Sequence, residues 1–327
     1  MSDEFRFPEL EEAVVNAVRS RVEGKDVAVA CSGGLDSGLI SAIAMQYAES
    51  VHLYTCGTAN AFDVAMARDL SERLGLPWTH CRISTSNIED RIRGIIRATG
   101  TSDPFTISYE LQLFCVCYTA GEDIVLSGQG SDEYFMGCAK TVGQDWDTFD
   151  LMRTEGIDRL LKVSVPCEEA IARSFGKEMA YPYLDPAVTE LAYALPPEDL
   201  VPTDMNSRKP VLRAIAGHLG FQFLAQRTKK ASQYGSGTTD LIRSMARARN
   251  MRYNEYIASF YDEYDSGIPA CGRGSVINAR VDSVLKAEAE DVISKCGSDP
   301  SDAISRLYRR ILRDGDLRFL DVDGDRA

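Results

Sequence analysis

The chain has 327 residues, with 36 Lys+Arg against 49 Asp+Glu for a net charge of −13, and is 44% hydrophobic and 26% charged. This is the balance of a folded globular chain long enough for about two domains, and it excludes disorder and a broad basic face for nucleic acid. No apolar run approaches the roughly 18–20 residues of a membrane span, and the start MSDEFRFPEL lacks a signal-peptide core, so a cytoplasmic protein is expected.

Residues 8–23 have helical spacing, with Leu10, Val14, Val18 and Val22 on one side. Val27–Cys31 is a short apolar run after a Gly-Lys-Asp turn and reads as a buried strand. A helix over 37–49 and a strand Val51–Cys56 follow. The next helix, 63–74, is stopped by Gly75 with Pro77 beyond. Trp78–Ile83 reads as a third strand, 107–119 as a helix and Ile124–Ser127 as a fourth short strand. This alternation predicts an α/β fold, a parallel sheet with helices on both faces.

From about residue 150 the pattern turns mainly helical, over 186–195, 209–219, 238–249, 276–295 and 303–312. The expected organisation is an N-terminal helix over 1–24, a nucleotide-type α/β domain over 25–150, and a mainly helical part over 151–327 that completes a cleft. The 9 Cys are scattered and odd in number, with no CxxC, which points to free thiols and no zinc site. His52, His80 and His218 lie far apart and read as structural. The basic segments Arg91–Arg97 and Arg309–Arg313 read as solvated helix faces.

Chemistry concentrates in two segments. In Val27–Ser37, VAVACSGGLDS, a buried strand runs into Ser32-Gly33-Gly34-Leu35-Asp36-Ser37 and then a helix. The glycines let the backbone turn tightly, and loop N–H groups at a helix start attract an anion. Asp36 suits a phosphate site if a cation such as magnesium bridges the two. A plain strand–helix turn capped by Asp is the competing reading. The segment is neither a Walker A sequence nor a GxGxxG fingerprint. In Ile124–Gly137, IVLSGQGSDEYFMG, a strand again ends in a glycine-bearing turn followed by Asp132 and Glu133. Strand tips of open parallel sheets are where ligands bind, so Asp36 and Asp132 on adjacent loops suit one shared metal.

SGGLDS after a strand resembles the pyrophosphate loop of the PP-loop ATP pyrophosphatases. The second segment resembles the SGEGSDE motif of the synthetase domain of asparagine synthetase B and its relatives. Three further stretches match that family in order: Pro182-Tyr-Leu-Asp185 its P-F-L-D motif, Lys209–Arg213 its K-x-x-L-R helix start, and Arg227-Thr-Lys229 with Gly235 the loop of its catalytic lysine. Taken singly, these read as a helix cap, a solvated helix end and a surface basic cluster. Together they make the likeness span about residues 20–250.

The resemblance implies a ligase that adenylates a carboxylate with ATP, releases pyrophosphate and passes the acyl group to ammonia or an amine. Position by position it implies pyrophosphate on Ser32, Gly33, Gly34, Asp36 and Ser37, with Mg2+ on Asp36 and Asp132. Adenine would lie along Tyr54–Gly57 and the nucleotide against Ser127 and Gly128. Lys229 would meet the transferring phosphates, with Lys230 an adjacent candidate, and Asp185 and Gln129 would serve the substrate. Aspartate is the expected carboxylate.

Three departures stand out. About thirty residues before the phosphate loop leave no room for the family's glutaminase domain, so nitrogen is expected from ammonia, a separate glutaminase subunit or an amine on the substrate. The family's glutamate in SGEGSDE is Gln129, which handles protons poorly. The arginine the family often has two residues before P-F-L-D is Ala180. Alternatives therefore stay open: another carboxylate, a lactam-forming substrate, a tRNA base, or a nucleotide-binding regulator without turnover. No membrane or nucleic-acid partner is expected, and a homo-oligomer is compatible with the sequence.

Overall fold

A computed structural model describes residues 5–202, 204, 207–227, 235–266 and 281–295, with the single positions 300, 303, 304 and 307. The four expected strands form as β1 Asp26–Ala30, β2 Ser50–Gly57, β3 Trp78–Arg82 and β4 Ile124–Leu126. A fifth, β5 Glu178–Ala180, comes from the part expected to be mainly helical. Its three residues are too few to show alternation. The sheet is parallel throughout, in the order β3-β2-β1-β4-β5.

Helices cover both faces. Along β1, Val27 and Val29 point to one core and Ala28 to the other, the period of two that a doubly covered strand requires. The first core takes α1 Pro8–Val22, α2 Leu35–Ala44 and α3 Phe62–Leu74, joined by α9 Pro186–Tyr193 and by the helices Pro210–His218 and Gln222–Ala225. The second takes α4 Ile88–Thr99, α5 Pro104–Thr119 and α8 Val165–Ser174, with the helix Tyr253–Ser266. Fully burying one such Leu, Ile or Val contributes about 1.5–3 kcal/mol.

Local chemistry explains the element ends. Asp103 caps α5 by accepting from Phe105 N and Thr106 N, with Pro104 at the first helical position. Gly75 closes α3 at φ 67. The helix expected over 37–49 is shifted to Leu35–Ala44. In α4, Ile88, Ile92, Ile95 and Ile96 are buried at helical spacing, so the basic segment there is the outer face of a helix the sequence reading left unassigned. α7 Trp146–Arg159 crosses residue 150 and leads through a π-helical turn into α8. The helix expected over 276–295 is described as Ser283–Lys295; most of 303–312 lies outside the described residues.

The cysteines at 31, 56, 81, 115, 117, 138 and 167 are free thiols. Among the described residues no helix is long and apolar enough to cross a membrane.

Gly33 shows how tightly the first loop is built. At φ +72, a Cβ there would lie 2.3 Å from Ala67 N and Met66 C on α3. Gly33→Ala is expected to cost about 2–5 kcal/mol through left-handed strain and overpacking, read by denaturant unfolding. Unchanged stability would refute the close approach.

Candidate functional site

β1 and β4 are neighbours, yet the chain between them travels out through β2 and β3 and back. Their C-terminal tips therefore diverge, leaving the crevice where ligands bind in open parallel sheets. The two glycine-bearing loops meet there: a Cβ on Gly128 would lie 3.2 Å from Asp36 Cβ and 3.3 Å from Ser37 N. A cleft opens between them.

Of the expected residues, Ser32, Asp36, Ser37, Tyr54, Ser127, Gly128, Gln129 and Asp132 line this cleft. Gly33, Gly34 and Gly57 stand behind it. Gly33 backs onto α3 and Gly34 is the N-cap residue of α2. The Gly57 carbonyl accepts from His80 Nε2 at 2.9 Å. Lys229 and Lys230 lie outside the described residues.

Asp36 and Asp132 come together on one cation. Lys209 Nζ donates to Asp36 Oδ1 at 2.5 Å and pairs with Asp132 Oδ1 at 2.6 Å, and it also donates to Ser131 Oγ at 2.9 Å. The lysine side chain is 2% exposed, against 15% and 38% for the two aspartates. Its backbone is left-handed at φ 59, a strained state that persists only where its surroundings over-determine it. The sequence reading took Lys209 only as a helix start. No spacing rule reveals that it crosses to two loops far away in the chain.

Two carboxylates converging on one positive position, beside a phosphate-type loop, fit a divalent cation completed by phosphate oxygens. Among the described residues no group of three or more His, Cys, Asp or Glu could hold a metal without such help.

The remaining motifs build the scaffold. Asp185 caps α9 by accepting from Ala187 N at 3.1 Å, and pairs with Arg21 Nη1 of α1 at 2.9 Å. It is not among the residues that line the cleft. The rest of its motif buttresses the loops. Tyr183 OH donates to the Asp36 carbonyl at 3.2 Å, and Leu184 packs under Gly130, which has φ +90. Arg227 clamps the first loop to α3, donating from Nη1 to the Gly33 carbonyl at 2.6 Å and from Nη2 to Asp69 at 2.6 Å. Arg213 holds the chain entering that corner, with Nη2 on the Arg227 carbonyl at 3.0 Å.

One wall of the cleft is made by Tyr54, Thr55 and Cys56 at the β2 tip and by Leu113 and Val116 of α5. Further in, α5 adds Tyr109, Glu110 and Gln112, and α8 adds Glu168. Tyr109 OH donates to Gln129 Oε1 at 3.2 Å. Burial, with nearby Glu133, Glu168 and Glu110, pushes the Tyr109 hydroxyl far up, so it stays protonated as a donor. Burial pushes the Cys31 thiol up to about 11, which makes it a neutral lining group. The sequence reading expected the β2 part of this wall and missed the part built by α5 and α8. The one available signal was polar residues inside a helix that is otherwise apolar all round.

The sequence model of the family described as asparagine synthase matches residues 9–165 and 139–266. The chain belongs to the asparagine synthase family. It is 30% identical over 291 residues to "Putative asparagine synthetase (glutamine-hydrolyzing) 1" of Methanocaldococcus jannaschii, covering 76% of this chain and 53% of that one. To asparagine synthetase B (glutamine-hydrolyzing) of Escherichia coli it is 27% identical over 227 residues, covering 63% and 40%. This asparagine synthase family member thus spans about half the length of the curated relatives it matches. Among solved structures, NMN synthetase from Francisella tularensis aligns with a TM-score of 0.40 at 15% identity, covering 79% and 87%, too distant a likeness to bear on the site.

Proposed function

We propose that this family member is an ATP-dependent carbon–nitrogen ligase. It adenylates a carboxylate, best read as aspartate, releases pyrophosphate, and transfers the acyl group to ammonia or an amine. The observation that carries this reading is the convergence of Asp36 and Asp132 on one cation position at the sheet's switch point. A carboxylate has no usable leaving group; joining it to AMP creates one.

Ser32 and Ser37 hydroxyls, with the N-terminus of α2, bind the departing pyrophosphate. The Gly128 backbone and Ser127 face the nucleotide, and Tyr54 to Cys56 edge the adenine. Asp36 and Asp132 would hold Mg2+, which when bound would neutralise charge on the leaving phosphates. Lys209 keeps the two carboxylates together, and Lys229 is assigned to the phosphates as a point charge. Nitrogen enters as ammonia, from a separate glutaminase subunit or on the substrate itself.

The test is to incubate the chain with ATP, Mg2+, aspartate and ammonium and to identify the products. AMP, pyrophosphate and asparagine are expected. Products appearing only with a different acid would move the substrate and keep the chemistry. ADP as product, or no AMP with any carboxylate, would overturn the reading.

A further inference from the structure

The inner end of the cleft holds two carboxyl groups with no assigned role. Glu110 on α5 and Glu168 on α8 are 1% and 4% exposed, and both line the cleft. One oxygen of each, Glu110 Oε1 and Glu168 Oε2, is buried with no hydrogen-bond partner. Tyr181 OH beside Glu168 is also unpartnered, so a donor for Glu168 is already at hand; buried acceptors are normally satisfied, and Glu110 Oε1, facing the cavity, points to a donor that arrives with a ligand.

The surroundings define that donor. Tyr109 and Glu110 come from α5, Glu133 from the short helix α6 (Ser131–Tyr134), Glu168 and Glu169 from α8, and Tyr181 from the segment after β5. No Lys or Arg is among the described residues lining the cleft. Burial raises Glu110, with Glu168 adding to it; burial raises Glu168 to about 8, with the nearby Tyr181 hydroxyl opposing the rise and Glu133 and Glu169 adding to it. Such a pocket offers acceptors and, once ionised, negative charge. A small cation rich in N–H donors satisfies both.

We propose that Glu110 and Glu168, with Gln129 joined to them through Tyr109, receive the nitrogen nucleophile as an ammonium group. This rests on the adenylating reading above and names the site of its second substrate. At position 129 an amide stands where the family motif has a carboxylate, and two neighbouring helices supply carboxylates instead.

The step balances. One N–H proton passes from the ammonium to one carboxylate, and the freed nitrogen lone pair forms the C–N bond at the acyl carbon. The C–O bond to AMP breaks, its electron pair leaving on the phosphate. A second N–H proton goes to the other carboxylate, giving the neutral amide, and both protons then exchange with water.

Two measurements on the full chain test this. In the first, the thermal midpoint near pH 8 is compared in ammonium, methylammonium and sodium chloride at equal ionic strength. Ammonium is expected to raise it by about 2 °C over sodium in the native chain and not in the Glu110→Gln/Glu168→Gln double variant. The rise should shrink as the pH falls towards 6 and Glu168 gains its proton. An equal rise with methylammonium marks an amine carried on a substrate; a rise with ammonium alone marks free ammonium.

In the second, each single variant is assayed for ATP–pyrophosphate exchange without amine and for amide formation. Exchange within about threefold of native, with the KM for ammonium up about tenfold or more, is expected. An unchanged KM with no ammonium-specific stabilisation overturns the proposal, as does exchange falling in parallel with amide formation. If the native chain shows no exchange with any carboxylate, the adenylating reading fails, and the thermal measurement still decides whether the pair binds ammonium.

Discussion

Asp132→Asn is expected to abolish AMP formation while leaving the fold intact. The carboxylate is 38% exposed and packs little, and Lys209 keeps Asp36 and Ser131 as partners when it is gone. The stability change should therefore stay within about 1–2 kcal/mol, in contrast to the loss of a lone buried partner. The chemical cost is far larger. Removing one of two metal carboxylates withdraws charge neutralisation as pyrophosphate departs, and losses of about 10²–10³-fold follow from removing a single stabilising group of this kind. AMP production and a urea titration check the two halves. Native-like AMP formation, or a variant that fails to fold, would refute the metal role.

Lys209→Met should produce the opposite pattern, a large stability loss with a specific rescue. The methionine keeps much of the lysine's volume and removes its ammonium from between Asp36 and Asp132. Two carboxylates then face each other in a site where the lysine was 2% exposed. Breaking a buried ion pair in this way costs about 3–5 kcal/mol. Millimolar Mg2+ should recover part of the loss, because a divalent cation meets the same two oxygens, and it should raise the variant's unfolding midpoint more than the native chain's. A variant as stable as native without metal would show that the lysine does not hold the aspartates together. Equal Mg2+ effects on both chains would show that the carboxylates do not share a cation.

The sheet was legible because its strands are short apolar runs bounded by glycine turns. β1, β2 and β4 end within a residue or so of where hydrophobic pattern alone ends them. β5 was not legible, since three residues show no period and what makes Glu178–Ala180 a strand is the free edge of β4. α4 was overlooked for a different reason. Its arginines drew attention to the solvated face, while the isoleucines at helical spacing carried the structural information.

At the site the division is just as physical. Local sequence determined the two glycine-bearing turns and their aspartates, because tight turns and helix starts depend on residues a few positions apart. It could not determine that Lys209 bridges Asp36 and Asp132, that Asp185 is tied to Arg21, or that Glu110 and Glu168 close one pocket. Those pairings join residues dozens to more than a hundred positions apart. Only packing of helices on both faces of the sheet sets such distances, and charge interactions act through distance in space, whatever the separation along the chain.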